Sequence, residues 1–290
     1  MPLSGAGAGA LSATDEISAG KRFAFGENWT RFLADLDEGR VAAAEASLRD
    51  MLGVTDLAGK TFLDIGSGSG LFSLAARRLG ARVHSFDFDP KSVACTEELR
   101  RRYFPGDATW RVEQGSALDP NYVASLGKFD VVYSWGVLHH TGSMWLGFEN
   151  AIGRVGAPGG KLFIAIYNDQ GWKSHVWWLI KAFYNVLPRP LRWLFIKLLM
   201  GAIHAVMLVK CSLRGRPMDA IRPIFDDARE RGMSARHDVV DWVGGLPFEF
   251  ATFELLESYF RQRGFRLINS IRTTSWGCNE LAFERVECAD

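Results

Sequence analysis

The sequence predicts an α/β fold, a mostly parallel sheet covered by helices on both faces, interrupted late by a helical insertion. Three observations predict it. Apolar β-type runs alternate with helical patterns from residue 61 to residue 167. A glycine-rich turn joins the first run to the first helix. The alternation then stops for about 80 residues and resumes with one helix and two strands, which marks an insertion rather than a second copy of the unit.

Composition leaves room for such a fold and narrows its partners. The 290-residue chain is 48% hydrophobic and 23% charged, enough apolar material for a full core. A formal net charge of +1 argues against binding nucleic acid through overall positive charge. Cys95, Cys211, Cys278 and Cys288 show no C-x-x-C spacing, so no disulfide framework and no metal site is expected. Residues 1–20 are mostly small, lack a signal peptide's basic and long apolar regions, and are expected to form a flexible tail. No run of about 18 uncharged apolar residues occurs, so no membrane span is expected.

The elements follow in order. Residues 27–52 carry apolar positions at helical spacing and read as one or two helices, a cap over 21–58. Strands are expected at 61–65, 82–87, 109–113, 129–134 and 161–167, with helices near 70–79, 90–103, 120–126 and 144–154. After the break, a helix near 251–263 precedes strands at 265–272 and 279–286, whose short link makes them an antiparallel pair. The sheet domain therefore comprises 59–168 and 248–290, with 169–247 inserted. Pro188 and Pro190 divide the insertion's apolar stretch into two helices.

The turn reads FLDIGSGSGLF over 62–72. No lysine follows the glycines, so it is not a triphosphate-binding loop. Gly66, Gly68 and Gly70 form G-x-G-x-G, with Leu71 where the dinucleotide fingerprint wants its last glycine. A tight turn without a ligand remains an alternative. Asp87, about twenty residues on, ends the second strand, where a carboxylate can accept both hydroxyls of a ribose. Asp64 precedes the glycines, where a carboxylate would repel a pyrophosphate but could hold an ammonium group. The loop suits a nucleoside joined to an amino acid.

Five motifs stand in a fixed order: LDIGSGSG (63–70), VHSFDFDP (83–90), QGSALD (114–119), FDVVYSWGVLHHTG (129–142) and PGGKLFIAIYN (158–168). In these the chain resembles the class I S-adenosylmethionine-dependent methyltransferases, particularly the branch that methylates quinones and small molecules. The resemblance covers 60–168 and, less closely, 250–287. It implies a Rossmann-like seven-stranded sheet of order 3-2-1-4-5-7-6. It also implies S-adenosylmethionine as cofactor, with Asp64, Gly66, Ser67 and Gly68 along its methionine portion. Asp87 would bind the ribose, Phe88 would lie against the adenine, and Ser116 and Ala117 would border the adenine edge. The family often has an acidic residue where Ser116 stands. Trp135 would sit at the mouth of the fourth strand.

In open α/β sheets ligands bind beyond the carboxyl ends of the strands. His139 and His140 follow the fourth strand, and a histidine there can take a proton from a hydroxyl or thiol near neutral pH. In related methyltransferases the first of this pair often approaches the acceptor, which favours His139. The alternative is a ring bonded only to backbone. Tyr167 and Asn168 end the fifth strand and can orient an acceptor; alternatively, Asn168 and Asp169 cap a turn. Phe25 and Trp29 either fold over the cofactor, where aromatic rings suit a sulfonium, or pack on the sheet.

Residues 171–216 hold eight basic side chains, no Asp or Glu, and four of the ten tryptophans. Three readings stand: a lid over a hydrophobic acceptor, a peripheral contact with anionic membrane, or an oligomer contact or plain core. The expected function is methyl transfer to an O or S nucleophile of a small molecule, without nucleic acid, in the cytoplasm or at its membrane face. N-methylation, a lipid or quinone acceptor at a membrane surface, and cofactor binding without catalysis remain alternatives. The oligomeric state is left open.

Overall fold

The computed structural model describes residues 15–16, 26, 29, 32–34, 36–156, 158–216, 242–274 and 277–286. The expected tail over 1–20 lies outside the described residues, apart from Asp15 and Glu16, as do Phe25 and 217–241 of the insertion.

Helix α1 (Glu38–Leu52) opens on Asp37, whose carboxylate accepts the Arg40 N–H, and closes on Gly53 in the left-handed region. Then come β1 (Thr61–Ile65), α2 (Leu71–Arg78), β2 (Arg82–Asp87), α3 (Pro90–Tyr103), β3 (Trp110–Gln114), α4 (Pro120–Ser125), β4 (Val131–Trp135), a 3-10 turn (Leu138–His140), α5 (Met144–Ile152) and β5 (Lys161–Tyr167). The helices α3 and α4 start alike. Asp89 and Asp119 cap the first backbone N–H groups, and Pro90 and Pro120 fill the first turn, where no N–H is needed. After the insertion follow α8 (Phe253–Arg261), β6 (Phe265–Ile271) and β7 (Cys278–Arg285); α6 (Trp172–Val186) and α7 (Arg189–Leu213) belong to the insertion itself.

The seven strands form one sheet of order β3-β2-β1-β4-β5-β7-β6, as expected. β1 to β5 pair in parallel, while β7 runs antiparallel between β5 and β6. Alternation along the strands makes two cores. Phe62, Val131, Tyr133 and Phe163 face α1, α2 and α3 together with Leu48, Leu74 and Leu99. Leu63, Val132, Leu162 and Ile164 face α5 and α8 with Phe148 and Phe260. A sheet buried on both faces holds its strand tips rigidly, and those tips carry the candidate site.

The insertion differs from its surroundings. In α7 the stretch Pro190–Leu213 is long and apolar enough to cross a membrane, and none of it is buried. The sequence criterion missed this because Lys197 and Lys210 interrupt the apolar run. Trp172, Leu198 and Leu213 are exposed by 73%, 65% and 84%; α6 still buries Trp177, Lys181 and Tyr184, whereas the apolar stretch of α7 is not buried.

Candidate functional site

The glycine turn is built for bare backbone. Gly66, Gly68 and Gly70 have φ of 77°, 56° and 84°, in the left-handed region that disfavours side chains. A Cβ on Gly66 would stand 2.4 Å from Val137 Cγ1, and one on Gly70 would stand 2.9 Å from the Thr96 Cα. The N–H groups of Gly66 and Ser67 both donate to the Phe86 carbonyl (2.8 and 3.1 Å), tying the turn to the end of β2. The Ser67 and Thr96 hydroxyls pair at 2.9 Å. Thr96 gave no signal in the sequence, being one polar residue within a helix.

Asp87 ends β2 half-buried. Its carboxylate accepts the Gly68 N–H (3.0 Å) and the Asp89 N–H (2.9 Å), so turn and strand tip act as one unit. Phe88 follows, its carbonyl accepting the Gln114 amide (3.0 Å) from β3. Ser116 is half-buried and its hydroxyl accepts the Leu118 N–H, while the buried Ala117 offers its carbonyl to Asn150. Trp29 lies on the turn: a Cβ on Gly68 would be 3.0 Å from its Nε1. Trp29 also packs edge-on against Phe32 at the core. The Gly26 N–H donates to Asp89 (2.9 Å).

Asp64 is the penultimate residue of β1, just before the glycine turn. Strand alternation turns it towards α2, where it is buried and the Ser73 hydroxyl donates to it at 2.5 Å. Ser85 then bonds Ser73 (2.6 Å) and the Trp110 indole donates to Ser85 (2.9 Å), a relay of donors ending on the carboxylate. Burial pushes the Asp64 carboxyl up to about 7, the Ser73 bond opposes this, and the charge of Asp87 adds to it. Ser73 and Ser85 were not legible as partners, since their approach depends on how α2 crosses β2.

On the acceptor side, the 3-10 turn after β4 buries both histidines. His140 is tied by its Nδ1 to the Pro247 carbonyl (2.6 Å). His139 packs its ring on Tyr167, with centroids 4.1 Å apart. Burial, then the nearby His140 and Lys181, hold the His139 pKa well below its ordinary value, against a bond to the Ala165 backbone that raises it. The ring is therefore neutral, and its buried Nδ1 has no hydrogen-bond partner among the described residues. Asn168 at the end of β5 is fixed by Asn279, whose amide donates to its Oδ1 (3.0 Å). The turn that follows is capped by Asp169, which accepts the Gly171 N–H. Trp135 is half-buried at the end of β4 against the α1–α3 core.

The turn, Asp87, Phe88 and Trp29 thus stand together, and His139, His140, Tyr167 and Asn168 form a second group. Val137 links the two through its contact with Gly66. Residues 63–164 match the family described as the methyltransferase domain. The chain carries a class I S-adenosylmethionine-dependent methyltransferase domain.

Several proteins resemble it. A ubiquinone biosynthesis O-methyltransferase of Methylobacterium sp. (strain 4-46) is 33% identical over 129 residues, 44% of this chain and 49% of that protein. A ribosomal protein L11 methyltransferase of Helicobacter hepaticus is 31% identical over 119 residues, 41% of this chain and 32% of that protein. The matches thus span about half the length of these relatives or less. Magnesium protoporphyrin IX methyltransferase from Synechocystis PCC 6803, solved with bound S-adenosylmethionine, superposes with a TM-score of 0.52 at 13% identity, covering 96% of this chain and 99% of that one. That likeness establishes the fold of the methyltransferase domain. In kind, the residues present fit a nucleoside joined to an amino acid: Gly66 and Gly68 give left-handed backbone and Asp87 brings a carboxylate to the same end of the sheet.

Proposed function

We propose that this protein moves the methyl group of S-adenosylmethionine to a hydroxyl or thiol of a small molecule. The observation that carries the reading is geometric: the buried His139 ring, two residues beyond Val137, packs on Tyr167, and Val137 stands against Gly66 of the glycine turn. The cofactor supplies an activated methyl on a sulfonium, so placing the nucleophile at attack distance is most of the task. Gly66, Ser67 and Gly68 line its amino-acid portion and Asp87 takes the ribose hydroxyls. Phe88, Ser116 and Ala117 border the adenine, and Trp29 closes over the turn. His139 accepts the proton that the hydroxyl or thiol gives up, while Tyr167 and Asn168 orient the acceptor. Release of S-adenosylhomocysteine, screened over hydroxylated quinones, lipids, sugars, thiols and amines, tests the reading. Cofactor binding with no release across that panel favours a binding protein without catalysis.

A second reading concerns place. Helix α7 is apolar and unburied, and 171–216 is basic without acidic residues. The uncharged stretch from Leu198 to Val209 has twelve residues, about 18 Å at 1.5 Å each. That is short of a hydrocarbon core of about 30 Å, so α6 and α7 suit a peripheral seat on anionic membrane. Sedimentation with anionic vesicles at low and high salt measures it; absence of binding at low salt removes the reading.

A further inference from the structure

Between β3 and α4 runs the turn that carries Ser116 and Ala117. Tyr122 of α4 lies on Gly115, so closely that a Cβ there would overlap its Cε1 and Cζ and stand 2.5 Å from its hydroxyl oxygen. Gly115 is not among the glycines with positive φ, so it is the ring that excludes a side chain. The ring is itself fixed on three sides. It packs at 83° to Phe86 with centroids 5.2 Å apart, its hydroxyl donates to the Glu113 carboxylate (2.8 Å), and Asp119 caps its backbone N–H (3.1 Å). His84 (3.0 Å) and Arg111 hold the same Glu113 carboxylate. Burial, then the bond to Glu113, raise the Tyr122 pKa, so the hydroxyl stays a donor at neutral pH. Gly115 links this ring to the cofactor residues. Its N–H donates to the Asp87 carbonyl (3.0 Å), and the neighbouring Gln114 amide donates to the Phe88 carbonyl. The Ser116 carbonyl accepts the Asp119 N–H (3.1 Å), and the Ala117 carbonyl accepts the Asn150 amide (2.7 Å). The N–H of the buried Ala117 has no acceptor among the described residues, a partner that buried N–H groups seldom lack.

We infer that Tyr122 is a positioning residue for the cofactor's base: by filling the space over Gly115 it sets where the Ser116–Ala117 backbone meets the adenine edge. The inference rests on the S-adenosylmethionine reading and adds a residue to it. The Ala117 N–H is then offered to a ring nitrogen that can accept. Adenine N1 accepts, whereas N1 of hypoxanthine carries a hydrogen, so an N–H held in place tells the two bases apart by leaving the wrong one unpaired. A turn free to shift loses that power, because a hydrogen bond weakens steeply with distance and angle. Contact through Gly115 alone is enough for this role, since the same residue is tied to Asp87 and precedes Ser116 directly.

The test is calorimetric titration of the full chain with S-adenosylhomocysteine and with S-inosylhomocysteine, its hypoxanthine counterpart. Wild type should prefer the adenine ligand about tenfold, the size of one hydrogen bond lost inside a site. Tyr122→Phe keeps the ring on Gly115 and should keep that ratio. Tyr122→Leu removes the ring and should bring the ratio to about two as the turn loosens. A general loss of structure lowers both affinities and leaves their ratio alone. A ratio retained in Tyr122→Leu or lost in Tyr122→Phe therefore overturns the inference, and so does a wild-type ratio near one. Should Tyr122→Leu fail to fold, Gly115→Ala takes its place: its Cβ must displace ring or turn, and a ratio retained there overturns the inference equally. Failure of the cofactor reading shows separately, as absence of S-adenosylhomocysteine binding by wild type.

Discussion

Replacing Gly66 by alanine tests whether the turn after β1 is set by backbone conformation and close packing. At φ 77° an L-residue loses about 1–2 kcal/mol. The new Cβ would also stand 2.4 and 2.6 Å from the two Val137 methyls and 2.9 Å from its Cβ. Overpacking of that kind costs about 1–3 kcal/mol. The expected loss is therefore about 2–5 kcal/mol, a large share of the roughly 5–15 kcal/mol that holds a domain folded. Urea denaturation reads it as a lower midpoint at unchanged slope. The double variant Gly66→Ala, Val137→Ala separates the two causes. Removing the methyls relieves the packing conflict and leaves the backbone strain, so the pair should couple favourably by about 1–2 kcal/mol. The same strain shifts the Phe86 anchor, so affinity for S-adenosylhomocysteine should fall in Gly66→Ala and partly return in the pair. An unchanged urea midpoint, or strictly additive single effects, refutes the reasoning.

Three further outcomes are expected. Asp87→Ala removes the acceptor of the Gly68 and Asp89 N–H groups, so calorimetry should show S-adenosylmethionine binding weakened by about 1–3 kcal/mol, and unchanged affinity would remove the ribose assignment. Asp64 titrates near 7 when folded and at 3.8 otherwise, so between about pH 4 and pH 7 the native state holds a proton the unfolded chain has released. Its contribution thus declines as pH rises through that window, by up to about 4 kcal/mol, and is fully lost above 7. The stability difference between wild type and Asp64→Asn should follow that slope in urea titrations across the pH range; parallel curves would contradict the burial argument. His139 has the opposite sign: its folded pKa lies well below 6.5, so the unfolded chain takes up a proton first and stability is lost as pH falls below 6.5. Its imidazole NMR signals should stay in the neutral form from pH 8 to pH 6, and a titration midpoint at or above 6.5 would sink the neutral-base role.

Much of this molecule was determined by local pattern. Apolar runs and capped helices place β1 to β7 within a residue or two, because the central strands bury both faces and each helix must satisfy its first N–H groups. The glycine turn and Asp87 were legible because bare backbone and a strand-end carboxylate have few other uses at that spacing. The tertiary structure alone decided what crossing elements do to a side chain. The facing of Asp64 towards Ser73, the hold of Thr96 on Ser67, and the tie of His140 to Pro247 each join residues of different elements. The same holds for Lys181, one of eight basic residues in its segment, which only the packing of α6 against Tyr167 and Phe248 removes from water. Sequence spacing fixes which face of its own element a residue occupies; the partner on that face is fixed by how elements pack, and burial and charge follow from the partner.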